Sequence, residues 1–253
     1  MRNLYDHHFT LKPGTCVYVP TTFGRTRGKS IKEAIEKIWT APDCYYHLKA
    51  GGHVAAVRHH HEADWLASLD LQRFFDQITR SKVHRALKAI GIPHVEAWEM
   101  ACDSTVDKQP PRRQFSLPFG FVQSPIIASV VLAKSALGAA IRRLQGEGVE
   151  VTVYVDDIVV SSSSKKTIKN AVLTLEEGAD VAGFAFNPDK LQTACRRVTN
   201  FNIEFGSGTM AVVDDRMAEF EHAIQTGNEY VIEGIIGYVS TVNILQGIEL
   251  SKE

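Results

Sequence analysis

Two adjacent aspartates, Asp156 and Asp157, lie at the centre of a stretch rich in β-branched residues, 151–160. Apolar side chains alternate on both sides of the pair, which is the period of a half-buried strand. Because aspartate is disfavoured inside strands, we predict that Asp156 and Asp157 form the tight turn of a hairpin. Two negative charges on a stiff support are unfavourable without a cation, and Mg²⁺ is the usual one; ordinary turn chemistry is the alternative.

A third carboxylate follows a second alternating segment, residues 65–70, which ends at Asp70. Two strands that each deliver a carboxylate to one point can hold a pair of divalent cations. Such a pair stabilises the attacking and leaving oxygens of an in-line phosphoryl displacement. The three aspartates therefore indicate phosphoryl transfer, provided that Asp70 and the turn at 156–157 meet.

The composition is that of a globular chain with an uneven charge distribution. The 253 residues are 44% hydrophobic, enough to bury one large core or two intimate subdomains. The net charge is −1, but residues 1–60 carry nine Lys and Arg against four Asp and Glu, while residues 214–253 carry two against eight. The basic N-terminal part suits phosphates and the acidic C-terminal part does not, although an ordinary solvated surface gives the same pattern.

The four cysteines, Cys16, Cys44, Cys102 and Cys195, lack the C-x-x-C spacing of metal or redox sites. They argue against a disulfide framework and structural zinc, and they fit a reducing compartment. The sequence shows no signal peptide and no apolar run of membrane-spanning length. We therefore expect a soluble, cytoplasmic protein with no membrane partner.

Helical and strand patterns alternate along the chain, which predicts an α+β fold. Ser30 opens a capping box and is predicted to begin a helix, and Ser124 begins another that runs to about Leu144. Ser81 is expected to cap a helix that Gly91 closes. Further helices are predicted over residues 165–182, 214–225 and 230–245, and strands over residues 198–205 and 210–213.

Basic side chains in the N-terminal part are candidates for phosphate contacts. Arg25 and Arg27 lie between two glycines in a predicted loop, and Lys49 and Arg58 follow later; a solvated surface is the alternative. The three histidines at 59–61 invite a metal interpretation. Consecutive residues of a strand point to opposite faces, however, so the run would make a poor chelate.

Four motifs occur in an order that resembles the reverse transcriptases. They are Asp70, residues 117–125, Tyr154-Val155-Asp156-Asp157 and residues 187–190. The likeness spans residues 45–245 and is greatest to the bacterial group of retron, group II intron and defence-associated enzymes, the last above all. It implies a right-hand polymerase with palm and fingers, an antiparallel sheet backed by helices and a reduced thumb. The implied segments are fingers 1–64, palm 65–80, a fingers–palm connection 81–115, palm 116–213 and a short helical thumb-like region 214–253.

The resemblance also implies catalytic roles. Asp70 and Asp156 become the principal ligands of two Mg²⁺ ions, for which Mn²⁺ can substitute, with Asp157 beside them and the Leu71 carbonyl as a further ligand. The ions activate the primer 3′-hydroxyl and neutralise the triphosphate as pyrophosphate leaves. Lys190 matches the lysine that approaches the leaving pyrophosphate as a charge stabiliser or proton donor; a plain surface lysine is the alternative.

Substrate contacts follow from the same resemblance. Phe75 matches the aromatic gate that crowds a ribose 2′-hydroxyl and favours deoxynucleotides, while Phe74 beside it is expected to face the core. The other implied nucleotide contacts are Arg73, Phe119, Gly120, Gln123 and Arg58. The implied nucleic-acid contacts are Arg25, Arg27, Lys49, Tyr154, Phe201 and Asn202, with residues 201–203 at the primer-grip hairpin.

Three departures from the family pattern affect these expectations. Phe119 stands where the family usually has the glutamine of Leu-Pro-Gln-Gly, so the nucleotide contact of that amide is missing. Gln123, or stacking by the Phe119 ring, is the candidate substitute for this contact. The fingers lack an obvious Lys-x-x-x-Arg pair for the triphosphate. The thumb-like region is short and acidic, which predicts a non-processive enzyme, or one completed by a partner protein, a bound RNA or self-association.

The favoured interpretation is an RNA-directed DNA polymerase, a nucleotidyltransferase that adds dNTPs to a primer on an RNA template and yields a DNA product. The Phe119 motif and the compact chain favour an antiphage defence system with a dedicated non-coding RNA. The alternatives are a template-independent or protein-primed deoxynucleotide polymerase and an inactive palm that binds RNA. Clustered carboxylates repel one another without ions, which disfavours the inactive palm.

Overall fold

The structure, a computed structural model, describes residues 3–12, 14–108 and 113–252. In chain order the strands are β1 (Tyr5–Lys12), β2 (Thr15–Pro20), β3 (Trp65–Asp70), β4 (Val106–Asp107), β5 (Phe115–Ser116), β6 (Glu150–Tyr154), β7 (Asp157–Ser162), β8 (Gln192–Cys195), β9 (Val198–Asn200), β10 (Ile203–Gly206) and β11 (Thr209–Val212). The helices are α1 (Thr22–Ile38), α2 (Gly52–His60), α3 (Phe74–Gln77), α4 (Arg80–Ala89), α5 (His94–Asp103), α6 (Ser124–Ala133), α7 (Ala136–Gly146), α8 (Lys165–Ala182), α9 (Asp214–Thr226), α10 (Glu229–Val242) and α11 (Ile244–Leu250).

The chain divides into two compact units. The first comprises Met1–Asp43, Leu71–Arg143 and Leu175–Phe186, and the second comprises Cys44–Asp70, Leu144–Thr174 and Asn187–Glu253. In the first unit, α6 is apolar on all sides, and every one of its residues except Pro125 is buried. A helix without a polar face belongs in a core, so α6 is the central helix of this unit.

The second unit is built on a four-stranded sheet with the strand order β6-β7-β3-β8. β3 pairs antiparallel with β7 on one side and with β8 on the other, and β6 pairs antiparallel with β7. A three-stranded antiparallel sheet, β11-β10-β9, follows, and the helices α9, α10 and α11 end the chain. A shared apolar core joins these parts through residues such as Leu66, Phe205, Phe220 and Val239.

Several predicted elements are confirmed and others are wrong. The helix over residues 165–182 matches α8, and Gly91 follows α4 with a φ of 101°, in the left-handed region expected after a helix. Helix α1, however, begins at Thr22, because the Thr21 hydroxyl accepts a hydrogen bond from the Gly24 amide at 2.9 Å. Arg25 and Arg27 therefore lie on a helix and not in a loop.

Glycines mislead the sequence prediction in α1 because they serve packing. A Cβ at Gly24 would lie 2.0 Å from the carbonyl oxygen of Leu4, and a Cβ at Gly28 would lie 2.3 Å from Oε1 of Gln123. The predicted helix from Ser124 to about Leu144 is broken as well. Ser135 starts α7 as a second helix by accepting a hydrogen bond from the Gly138 amide at 3.2 Å.

The histidine run at 59–61 lies at the end of helix α2 and not in a strand. Only His60 of the three is fully buried, since helical geometry turns His59 and His61 towards the surface. The strand predicted over residues 198–205 is a hairpin, in which Phe201 and Asn202 separate β9 from β10. In the part of the chain that the structure describes, no single helix is long and apolar enough to cross a membrane; α6 and α7 pass that test only together, bent by 65°.

Candidate active site

Two carboxylates face each other across adjacent strands of the second unit. Asp70 ends β3 and Asp157 begins β7, and the two residues are direct partners in the antiparallel register. Tyr154, at the end of β6, is the partner of Asp157 on its other side. The predicted meeting of the Asp70 strand end with the aspartate hairpin is therefore confirmed.

The hairpin turn lies one residue earlier than the sequence predicts. Val155 and Asp156 are its two turn residues, while Asp157 is already paired in β7. Val155 has a φ of 60°, a left-handed conformation that is strained for a β-branched residue. The imidazole of His47 supports this turn, because its Nδ1 accepts a hydrogen bond from the Val155 amide at 3.1 Å.

Lys190 is fixed to Asp70 by the short turn that carries it. Its Nζ donates to Oδ1 of Asp70 at 2.7 Å, and the amide of Asn187 donates to the Asp70 carbonyl oxygen at 2.8 Å. The Asn187 side chain also accepts from the Asp189 amide at 3.2 Å, which shapes the turn. The ammonium group of Lys190 remains largely exposed, so it can also meet a ligand above the carboxylates.

Negative charge accumulates at this end of the sheet. Burial, together with the charges of Asp156 and Asp70, raises the pKa of Asp157 to about 7, although Lys190 and a hydrogen bond with Asn200 act in the opposite direction. The hydrogen bond to Asp70 raises the pKa of Lys190, and the neighbouring carboxylates reinforce this effect. One ammonium group thus faces a cluster that carries more negative charge than its surroundings stabilise, and the raised pKa of Asp157 is the consequence.

The donor chemistry of the cluster suits a hard divalent cation. Carboxylate oxygens are the ligands that Mg²⁺ prefers, and the raised pKa of Asp157 shows that added positive charge would be favourable there. Within the described ranges, no three His, Cys, Asp or Glu side chains are yet arranged as a metal site. The residues fit the cation by their chemistry, with the Lys190 ammonium as the present partner of Asp70.

An aromatic cluster borders the hairpin. The ring of Tyr154 lies 5.0 Å from that of Phe201 and 6.1 Å from that of His53, and His53 also lies 5.8 Å from Tyr238. Phe201 and Asn202 have φ angles of 55° and 59°, where Gly or Asn is normal and a phenylalanine is strained. The strained turn holds the Phe201 ring against Tyr154.

In the first unit, the three predicted aromatic contacts, Phe74, Phe75 and Phe119, form a cluster. The ring centroid of Phe75 lies 4.5 Å from that of Phe119 and 6.1 Å from that of Phe74. Phe74 and Phe75 are both buried, and Phe119 is half-buried. Gly120 has a φ of 98°, and a Cβ there would lie 2.2 Å from the Tyr18 carbonyl oxygen, so only glycine fits.

Several predicted contact residues already have protein partners. Gln123 is buried and its amide donates to the Asp103 carbonyl at 3.2 Å, and Arg27 forms an ion pair with the Asp103 carboxylate at 2.8 Å. Arg73 pairs with Asp76 at 2.9 Å.

The remaining predicted contacts are surface or backbone positions. Arg58 donates to the carbonyl oxygen of Thr241, Lys49 lies 5.2 Å from the Tyr46 ring centroid, and Arg25 is exposed on α1. Leu71 is buried and forms a β-bridge with Phe186.

Sequence reasoning missed two residues that support the carboxylate cluster of the second unit and one that lies beside the aromatic cluster of the first. His47 holds the strained turn, Asn200 bonds to Asp157, and the half-buried Lys108 pairs with Asp76 at 2.5 Å near Phe119. His47 and Asn200 reach the site from distant parts of the sequence, and nothing in their local pattern marks them. Lys108 follows a short strand and resembles any surface lysine.

Solved polymerase structures share this fold. The chain matches a foamy viral protease–reverse transcriptase in complex with double-stranded DNA at a TM-score of 0.50 and 16% identity, over 91% of this chain and 34% of that one. It matches Candida albicans telomerase in complex with a fragment of telomeric RNA at a TM-score of 0.54 and 9% identity, over 90% of this chain and 46% of that one. It matches an RNA-dependent RNA polymerase at a TM-score of 0.55 and 13% identity, over 93% of this chain and 25% of that one. The fold is therefore that of a nucleic-acid polymerase palm, and the chain spans less than half the length of each of these structures.

The family follows from the sequence match. The family described as reverse transcriptase (RNA-dependent DNA polymerase) matches residues 12–225, most of the chain. This protein belongs to the reverse transcriptase family, whose members are RNA-directed DNA polymerases of the nucleotidyltransferase class. A search of curated proteins finds no match. The predicted α+β fold with antiparallel sheets is confirmed.

Proposed function

We propose that this protein is an RNA-templated DNA polymerase that adds deoxynucleotides to a primer at the carboxylate end of β3 and β7. The observation that carries the proposal is the facing pair of Asp70 and Asp157, with Asp156 in the adjoining turn, in a chain of the reverse transcriptase family. We assign the palm to residues 65–80 and 116–213, the fingers to 1–64, their connection to 81–115 and a thumb-like region to 214–253.

In this proposal Asp70, Asp156 and Asp157 hold two Mg²⁺ ions, with the Leu71 carbonyl as a further ligand and Mn²⁺ as a substitute. When bound, the ions polarise the primer hydroxyl and neutralise the triphosphate charge. The chain's own residues prepare this step. His47 fixes the turn that carries Asp156, and Lys190 supplies a mobile positive charge that moves from Asp70 to the leaving pyrophosphate.

Substrate selection in this proposal rests on the aromatic residues. Phe75 excludes a ribose 2′-hydroxyl, Phe119 packs against the Phe75 ring, and Gly120 allows the backbone to approach the nucleotide. Tyr154, Phe201 and Asn202 contact the primer strand. Arg25, Lys49 and Arg58 lie at the surface and contact nucleic acid in this proposal, whereas Gln123, Arg27 and Arg73 support the fold through the contacts described above.

The experiment is primer extension on an RNA template of defined sequence, with sequencing of the product. Wild type should copy the template into DNA, and Asp156→Asn should not. Incorporation of dNTPs that does not depend on the template would support the template-independent or protein-primed alternative, for which the Phe119 motif is the motivation. RNA binding without any synthesis under Mg²⁺ or Mn²⁺ would support an inactive palm.

A second measurement tests the gate. Phe75→Val should raise the use of rNTPs relative to dNTPs by about tenfold or more, because it removes bulk beside the sugar. The matched control is Phe74→Val, which changes a buried ring of the same cluster. If both variants lose activity without any gain in rNTP use, Phe75 is a packing residue and not the gate.

We further propose that the enzyme acts in an antiphage system with a dedicated non-coding RNA as template or partner, and that a second protein or a second copy completes it. The Phe119 form of the Leu-Pro-x-Gly motif supports the defence-associated branch. Sequencing the nucleic acid that co-purifies with wild type and with Asp156→Asn tests this assignment. A single enriched RNA in both samples would support it, and random cellular RNA would contradict it.

A further inference from the structure

The end of β3 opposite Asp70 carries a cluster of positive charge. Trp65 begins the strand, and the Nζ of Lys165 lies 4.6 Å from its ring centroid, while the Cζ of Arg196 lies 4.3 Å from it. Lys166 and Lys169 extend the cluster along α8, and Arg197 extends it beside Arg196. We call these six residues the Trp65 patch.

Carboxylates balance this charge only in part. Arg196 pairs with Asp64 at 2.7 Å and Arg197 with Glu204 at 3.5 Å. Among the residues that the structure describes, no carboxylate forms an ion pair with any of the three α8 lysines. Five cations against two carboxylates is a marked local excess in a chain whose net charge is −1.

Helix stability does not explain the position of these lysines. Lys165 and Lys166 occupy the first turn of α8, which has no acidic residue, and positive charge is unfavourable at that end of a helix. The Trp65 ring instead contacts two cations of the patch through cation–π interactions. A ligand of negative charge that binds beside the ring would be attracted by both cations, so the arrangement is suited to an anion.

We propose that the Trp65 patch binds the phosphate backbone of an RNA strand. Lysine, arginine and serine side chains are the usual partners of phosphate oxygens, and Ser162 and Ser164 flank the patch. Both hydroxyls accept a backbone N–H, at 3.3 Å each, and each keeps its own proton for donation. This mixture of cations and hydroxyl donors favours a phosphodiester chain over an acidic protein surface.

The position of the Trp65 patch on β3 indicates the role of the RNA that binds there. Trp65 and Asp70 are the two ends of one six-residue strand, so they lie about 17 Å apart on a rigid support. RNA held at the patch is therefore tethered away from the reacting end, independently of the strand being copied. The patch supplies positive charge that the acidic region at residues 214–253 lacks.

The test measures binding without catalysis. Fluorescence anisotropy of a labelled 30-nucleotide RNA is recorded in EDTA without dNTPs, over a series of salt concentrations. Lys165→Gln with Arg196→Gln should raise Kd about tenfold at low salt and reduce the slope of log K against log salt by about 1.5. The control, Lys88→Gln with Lys134→Gln, removes two exposed cations of the first unit and should change Kd less than twofold.

Three outcomes overturn the proposal. The patch variant and the control could behave alike, the patch could bind DNA of the same sequence more tightly than RNA, or its neutralisation could abolish self-association in sedimentation while leaving RNA affinity unchanged. Thermal melting checks that each variant is folded. Because no synthesis occurs in EDTA, failure here leaves the proposed polymerase activity intact, and loss of that activity leaves this binding result intact.

Discussion

The two ends of strand β3 carry opposite charge and yet follow the same principle. At one end Asp70 faces Asp157, with Asp156 adjacent; at the other, Lys165 and Arg196 share the ring of Trp65. Like charges brought together are unfavourable for the fold and become favourable when a ligand of opposite sign binds. A local excess of one charge is therefore the shared basis of both proposals, which place cations at the Asp70 end and phosphates at the Trp65 end.

A buried histidine that packs against the same sheet is a polar group that stabilises the fold without a ligand. His60 is fully buried, and its Nδ1 and Nε2 lie 2.7 Å and 2.9 Å from the hydroxyls of Ser161 and Thr152. Burial lowers its pKa to about 3, so the imidazole is neutral and both nitrogens have partners. A neutral, satisfied network needs no ligand, in contrast to the two charged ends.

The largest expected effect is on catalysis at the Asp70 end. Asp70→Asn and Asp157→Asn should each lower the rate of primer extension at least about a thousandfold, equivalent to about 4 kcal/mol, because each removes a charge that holds the proposed ions. Single-turnover extension measures this. Glu150→Gln is the control, since it removes a carboxylate from the opposite end of the β6–β7 hairpin, and it should stay within twofold. Substantial extension by either aspartate variant would refute the proposed roles.

The next effect is on stability at His60. His60→Ala should lower the free energy of unfolding by about 2–4 kcal/mol, because it leaves a cavity and two unpaired hydroxyls. Urea denaturation at pH 7.5 measures this, with His59→Ala as the control because the His59 side chain is exposed and forms a surface hydrogen bond with Glu150.

His60 should also make stability depend on pH. Its pKa is about 3 in the folded state and about 6.5 in the unfolded state, so the unfolded chain takes up the proton first. Its contribution is complete above pH 6.5 and is lost by up to about 1.4 kcal/mol per pH unit as the pH falls towards 3. His60→Ala should remove this part of the slope; an unchanged slope would mean that other groups cause it.

The sequence predicts the two charged ends and their elements to different degrees. Strand alternation is local, so the two strands and the carboxylates at their ends follow from it, whereas the meeting of Asp70 with the aspartate hairpin depends on long-range pairing of β3 with β7. The turn at Val155 does not follow from it either, because a strained φ is imposed by contacts such as that with His47, 108 residues away. Likewise, Gly24 and Gly28 resemble loop residues in the sequence, whereas in the structure they let α1 pack closely against Leu4 and Gln123. The Trp65 patch depends on residues 65, 165 and 196 and has no signature in any one segment.

A smaller expected effect is the change in stability caused by Asp157→Asn, which shows whether the Asp157 carboxylate stabilises or destabilises the fold. In EDTA at pH 8, Asp157→Asn should stabilise the protein by about 2 kcal/mol, because it removes an ionised carboxylate from beside Asp70 and Asp156. The pKa of the Asp157 carboxyl is about 7 in the folded state and 3.8 in the unfolded state. Its protonation therefore stabilises the folded state fully below pH 3.8, and this contribution is lost as the pH rises through 7.

Thermal melting at pH 5 and pH 8 tests the expectation for Asp157. The stabilising effect of the substitution should shrink at pH 5, where the wild-type carboxyl already carries a proton in the folded state. Added Mg²⁺ should raise the Tm of wild type more at pH 8 than at pH 5, since the cation competes with that proton. Destabilisation by Asp157→Asn at both pH values would show that the carboxylate serves the fold rather than a ligand.

The smallest expected effect on stability comes from substitutions in the Trp65 patch. It tests whether the α8 lysines serve ligand binding or the stability of the helix. Lys166→Glu should stabilise α8 by about 0.3–1 kcal/mol, because it replaces an unfavourable charge in the first turn with a favourable one. Lys165→Glu should change stability by less than about 0.5 kcal/mol, since it also loses the contact with Trp65. Both should weaken RNA binding in EDTA at least tenfold. A more stable protein that binds RNA poorly is the combination that a ligand site predicts; if Lys166→Glu were instead destabilising, the lysine would serve the helix and the charge excess would lose its functional meaning.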